Sequence, residues 1–223
     1  MSASRFVLLP ALLLTSLLVP VVELAGQAVV ARALLVSPQS SVRVAGVTTR
    51  ANGVWSGLAL EVDAGRFSLS ASATRGRLAA SQTGSVPESD GGEMSLVGRY
   101  QVRPWLDLRL DYAARAFSSA AGYQRWNMVG VGAVVSRDLG TPAVRAFVSL
   151  TYLPVVTVSN VERPSLAVGS QVGISLAPDR LPIVFMLSYR VERFSFPTAA
   201  ARSEQLDVLT VSVGVRAQRS RGR

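Results

Sequence analysis

The chain has 223 residues, 49% of them apolar, and its 23 basic residues against 14 acidic ones give a formal charge of +9. It contains no Cys and no His, and every basic residue is Arg. These absences exclude disulfide frameworks, thiol or imidazole catalysis, Cys- or His-ligated metals, Schiff-base chemistry and lysine-dependent phosphate loops. No cofactor and no metal site is expected from the carboxylates, hydroxyls and guanidiniums that remain.

Residues 1–28 read as a secretory signal. Arg5 is the only charge ahead of an apolar run over 6–22, which Pro10, Thr15, Ser16 and Pro20 interrupt and Glu23 ends. Gly26-Gln27-Ala28 places small residues at the −3 and −1 positions of a cleavage site, and Ala31-Arg32-Ala33 is a second candidate. Two prolines in a run this short favour a signal over a retained span.

From residue 42 onward the recurring period is two. In chain order, strands are expected over 42–49, 54–62, 66–75, 93–103, 105–117, 127–137, 144–156, 166–176, 183–194 and 208–216. The clearest is 105–117. There Leu106, Leu108, Leu110, Tyr112, Ala114 and Ala116 share one face, while Asp107, Arg109, Asp111, Ala113 and Arg115 share the other. Short connections rich in Gly, Pro and Asp (63–65, 103–104, 138–142, 178–180) alternate with longer polar ones (75–92, 118–124, 157–165, 195–204). The first connection on the long side is short, and Asn52-Gly53 is its hairpin signal. Were 42–62 a single bent strand, the count would fall toward eight. The alternation predicts an all-β, antiparallel up-and-down barrel of about ten strands.

Which face points outward follows from the polar set. It consists of Ser, Thr, Gly and Ala with Arg and acids, where a soluble surface would be rich in Lys and Glu. Small residues and compensating charges suit a narrow interior, and Leu, Val, Ile, Phe and Tyr form a lipid-facing band. Tyr112, Tyr152 and Tyr189 lie on the apolar face toward the long loops, and Phe67, Tyr100 and Phe185 toward the tight turns, as two interfacial aromatic girdles would.

An export segment, alternating strands, tight turns on one side and loops on the other resemble a small bacterial outer-membrane β-barrel. The resemblance lies in the pattern over about 40–218 and names no specific family. It implies an outer-membrane location, with 29–41 as a periplasmic lead-in, 42–218 as the barrel and 219–223 as a basic tail. It also implies membrane lipid and the outer-membrane assembly machinery as partners. The last strand ends Val215-Arg216-Ala217-Gln218 without the terminal aromatic usual in such barrels, and the sequence pI is 11.2 where many are acidic.

The enzymes among small outer-membrane barrels resemble His-dependent hydrolases and acyltransferases, so no enzyme and no catalytic residue is expected. One constellation stands out: Arg99, Asp107, Arg109, Asp111, Arg115, Arg145, Arg190 and Glu192. It reads either as a salt-bridge network filling a narrow lumen or as a charged constriction that selects ions or small solutes. The Arg residues are dispersed and often lie near acids, so nucleic acid is not an expected partner. Arg50, Arg75, Arg77, Arg125, Arg163 and Arg202 fall in or beside the long loops, where guanidiniums can meet lipopolysaccharide phosphates. The leading expectation is a non-enzymatic structural or surface-binding barrel with a polar, largely filled lumen. A narrow passive channel and a soluble periplasmic lipid-binding barrel are the alternatives. Oligomeric state is not legible.

Overall fold

A computed structural model describes residues 28–80, 88–120, 122–159, 161–178, 181–197 and 201–218. Its strands are β1 (Ala28–Val44), β2 (Val47–Ala64), β3 (Phe67–Ala80), β4 (Ser89–Arg103), β5 (Leu106–Ser119), β6 (Gly122–Leu139), β7 (Thr141–Val158), β8 (Leu166–Leu176), β9 (Ile183–Ser195) and β10 (Ser203–Gln218). Each pairs antiparallel with the next. β1 closes on β10 from Ala28 opposite Gln218 to Arg43 opposite Ser203, so the sheet has no open edge. The fold is the all-β up-and-down barrel that the alternation predicts.

The ends of the strands at the connections after β2, β4, β6 and β8 share one end of the barrel, here the turn rim, with the first and last described residues. The strand ends at the connections after β1, β3, β5, β7 and β9 lie at the other end, the loop rim. At 11 to 18 residues the strands meet or exceed the roughly 9–11 that a tilted span requires, so most extend past the apolar belt. Residues 1–27 of the proposed signal over 1–28, the tail at 219–223 and the loop centre at 81–87 lie outside the described residues, while Ala28 opens β1.

Three expectations need correction. Residues 29–41 are not a lead-in; they form most of β1, the closing strand. Its inward positions Val30, Leu34 and Val36 are apolar like its outward Val29 and Leu35, so the period of two is hidden. Asn52-Gly53 is not a turn. The chain reverses at Ala45 and Gly46, whose φ angles of 49° and 86° suit a two-residue hairpin, so 42–49 is a hairpin corner and not one strand. Gly53 serves close approach instead: a Cβ there would lie 1.8 Å from the carbonyl oxygen of Arg77 on β3.

The third correction concerns β7, where the face set by Val148, Leu150 and Tyr152 does not continue through Val156. Val131 pairs with Tyr152 but Val129 with Val155, leaving Leu153 and Pro154 opposite Gly130. Pro154 has no N–H to give the ladder, and the extra residue forms a bulge that turns Val156 and Val158 inward.

Elsewhere the outer face is the expected apolar one. Leu58 is 70% exposed, Leu150 66%, Leu110 58% and Val215 58%. Between them, inward positions such as Gly57, Ala59, Arg109, Asp111, Ser149, Thr151 and Gly214 are small, polar or charged.

Candidate functional site: a layered barrel interior

The interior is layered along the barrel axis. Its middle layer is a four-membered charge network from β4, β5 and β9, which face each other across the lumen. Arg115 donates from Nε to Glu93 Oε2 at 2.7 Å and from Nη2 to Glu192 Oε2 at 2.7 Å. Arg190 donates from Nη2 to Glu93 Oε1 at 2.8 Å, and its Nη1 lies 3.4 Å from Glu192 Oε1. Two guanidiniums and two carboxylates therefore alternate, each acid bridging both bases. Arg115 is 3% exposed, so its charge depends on these partners and not on water. Beside it Arg109 donates to Asp111 at 2.6 Å, with Ser149 and Gln171 also accepting from its guanidinium.

The eight charged residues singled out in the sequence thus divide. Arg115, Arg190 and Glu192 form the network, and Arg109 and Asp111 pair next to it. Arg99 lies nearer the turn rim and pairs with Glu61, which also holds Arg32 Nη2 at 2.5 Å. Arg145 is at the rim itself, donating to the Pro104 carbonyl at 2.8 Å and lying 3.5 Å from Asp138. Asp107 faces the same space and makes no ion pair among the described residues. Sequence reasoning missed Glu93, Glu61 and Arg32. Glu93 was recognisable, since it shares a parity with Ser95 and Arg99. Arg32 was obscured by its place beside a candidate cleavage site.

Above the network, toward the turn rim, a cavity of about 750 Å³ opens between Arg66, Pro142 and Arg216 and reaches down to Trp55 and Leu206. Below it, toward the loop rim, the inward side chains are apolar, which the expectation of a polar lumen did not foresee. Val36, Ala51, Trp55, Leu78, Leu206 and Val208 form one buried cluster; Trp126, Met128, Val156, Val158, Ala167, Phe194 and Phe196 form another. Phe117 of β5 packs on both. Trp126 lies 4.9 Å from Phe194 and 6.4 Å from Phe196 between ring centroids, and Trp55 lies 6.2 Å from Phe117. Gly91 makes this possible: a Cβ there would sit 2.5 Å from the Trp55 ring.

All six aromatic residues assigned to girdles lie on the outer surface, between 37% and 62% exposed. Phe67 and Tyr100 pair across β3 and β4 with centroids 4.8 Å apart. Arg50, Arg75, Arg77 and Arg125 are exposed toward the loop rim, whereas Arg202 turns in over the buried Phe196 ring, 5.2 Å from its centroid.

Among solved structures, the translocator domain of the autotransporter NalP from Neisseria meningitidis is similar over 93% of this chain and 95% of its own, with 12% identity and a TM-score of 0.44. An outer-membrane channel from Pseudomonas putida F1 is similar over 86% and 96%, with 11% identity and a TM-score of 0.47. Neisserial surface protein A matches over 83% and 96%, with 12% identity and a TM-score of 0.37. These neighbours are outer-membrane β-barrels, and at such identities the likeness is one of fold alone. No family model and no curated protein sequence matches the chain.

Proposed function

We propose that the protein is an outer-membrane β-barrel whose filled lumen blocks free passage and whose role is structural or surface-binding, not enzymatic. The observation that carries this reading is the apolar outer belt on a closed sheet. Leu58, Leu110, Leu150 and Val215 would be costly against water and favourable against hydrocarbon. The opposite arrangement, apolar inside and polar outside, is what a soluble lipid carrier would need. The charge network and the two apolar clusters together fill the lumen toward the loop rim, which favours a closed barrel over a passive channel. Glu61, Glu93, Asp111 and Glu192 are engaged by guanidiniums, which leaves these four poorly placed for acid–base work, while Asp63 and Asp107 face the turn-rim cavity.

In this reading residues 1–28 direct export, the turn rim faces the periplasm and the loop rim faces outward. Membrane lipid and the assembly machinery are the partners. The exposed Arg50, Arg75, Arg77 and Arg125 would then lie at the height of outer-leaflet phosphates, including those of lipopolysaccharide.

Heat-modifiable mobility, a membrane-fraction location and silent planar-bilayer recordings are expected. A monodisperse monomer purified without detergent overturns the membrane assignment; discrete conductance in the wild-type chain overturns the closed lumen. Leu110→Arg places a guanidinium on the belt and is expected to cost about 2–4 kcal/mol in unfolding from lipid vesicles. A cost near zero would mean that this face does not meet hydrocarbon.

A further inference from the structure

We propose that the vestibule at the turn rim is a binding pocket for a small organic anion bearing a phosphate or carboxylate, held by Arg32 and Arg99. Its volume, about 750 Å³, falls within the range of small-molecule sites. The wall made by β10, β1, β2 and β4, with the turn before β3, presents four guanidiniums, Arg216, Arg32, Arg66 and Arg99, against three carboxylates, Glu61, Asp63 and Glu93, the last already held by Arg115 and Arg190. Glu61 is shared: one oxygen meets Arg32 and the other Arg99. One carboxylate therefore serves two cations, while Arg66 and Arg216 make no ion pair among the described residues.

Arg32 is held in place by its surroundings. Its side chain is 14% exposed, and it crosses β10 at Gly214, where a Cβ would lie 2.6 Å from the Arg32 Cγ. Its Nε is buried with no hydrogen-bond partner, a costly state for a charged donor. Two oxygens of a carboxylate or phosphate match the paired donors of a guanidinium edge. Ser70 and Ser72 line the adjoining wall with hydroxyls, and Ser68 accepts from Arg99 Nε at 3.1 Å. Guanidiniums beside hydroxyls suit a phosphorylated or acidic sugar-sized solute better than an apolar one. The binding holds whether or not the lumen conducts.

The test is calorimetric titration of the full chain in neutral detergent with glucose 6-phosphate, with glucose and spermidine as controls. Saturable binding of the phosphate alone is expected. Arg32→Gln, and Gly214→Ala, which displaces Arg32 without removing a charge, should each weaken it at least about tenfold. Arg137→Gln, on the outer face of β6, should leave it within about twofold. Retained heat-modifiable mobility establishes that each variant is folded. Absence of saturable binding, equal binding of glucose, or an indifferent Arg32→Gln overturns the proposal. A lipid headgroup shares the phosphate chemistry; displacement of glucose 6-phosphate by phosphatidylglycerol in the micelle would assign the wall to lipid and overturn the solute reading.

Discussion

Arg115→Ala is expected to destabilise the barrel by about 3–5 kcal/mol, the range for breaking a buried ion pair by removing one partner. The magnitude follows from what remains behind. Glu93 and Glu192 both accept from this guanidinium, and without it Arg190 alone faces two carboxylates in a lumen with little solvent. Two measurements check the argument: the midpoint of the heat-modifiable transition in detergent and urea unfolding from vesicles. The double variant Arg115→Ala/Glu192→Gln removes the surplus charge and should recover part of the loss, because the penalty lies in uncompensated charge and not in lost packing alone. A single-variant cost below about 1 kcal/mol would place the network in the regime of solvent-screened surface pairs. The layer would then be wet, and the case for a sealed middle would fail.

The exposed pair Arg77–Asp90 gives the contrast within the same molecule. The two atoms are 3.2 Å apart, but the side chains are 79% and 55% exposed. Removing that pair should change stability by less than about 1 kcal/mol. Burial, not the presence of an ion pair, separates the two cases.

How far the sequence reveals this fold depends on what lies inside each strand. Where the lumen is polar, as along 66–75, 93–103 and 105–117, inward Ser, Arg and Asp alternate with outward Leu, Phe and Tyr, and faces and strands are both legible. Where the lumen is apolar, the alternation fades. β1 carries Val30, Leu34 and Val36 inside and Val29, Ala33 and Leu35 outside, so it reads as a continuation of the apolar segment before it. β2 presents Ala51, Trp55, Gly57 and Ala59 inward, which mimics a weak strand with a glycine turn. The plug and the misplaced boundaries thus share one cause, an apolar residue on both sides of the wall. The β7 bulge is a different kind of miss. Pro154 was visible, but its consequence, a reversal of parity for Val156 and Val158, appears only once the pairing partner is known. The charge network was half legible: parity gave the inward residues, but which acid meets which base depends on the closure that brings β9 across from β4.

The plug permits the sharpest dissection of the lumen, because the chain has no native cysteine. Met128 is 2% exposed within the Trp126–Phe194 cluster. In Met128→Cys the single thiol should react slowly with a water-soluble maleimide. Adding Trp126→Ala and Phe194→Ala removes two rings in contact, each change costing about 3–5 kcal/mol alone and less than the sum together. The thiol should then react at least about tenfold faster, since water reaches the cavity that the rings leave. Conductance is expected to stay silent in this variant, because the Trp55–Leu206 cluster and the Glu93–Arg115–Glu192–Arg190 network remain in the lumen beside the opened cluster. Discrete conductance after removal of the rings alone would mean that the charged layer admits ions and that the plug is the only barrier. Fast labelling of Met128→Cys with Trp126 and Phe194 intact would mean the reverse, that the aromatic cluster does not exclude water and that the charged layer seals the barrel by itself. The two barriers differ in physics: one excludes water by apolar packing, and the other holds fixed charge in mutual compensation. Loss of each therefore has its own signature, accessibility for the first and stability for the second.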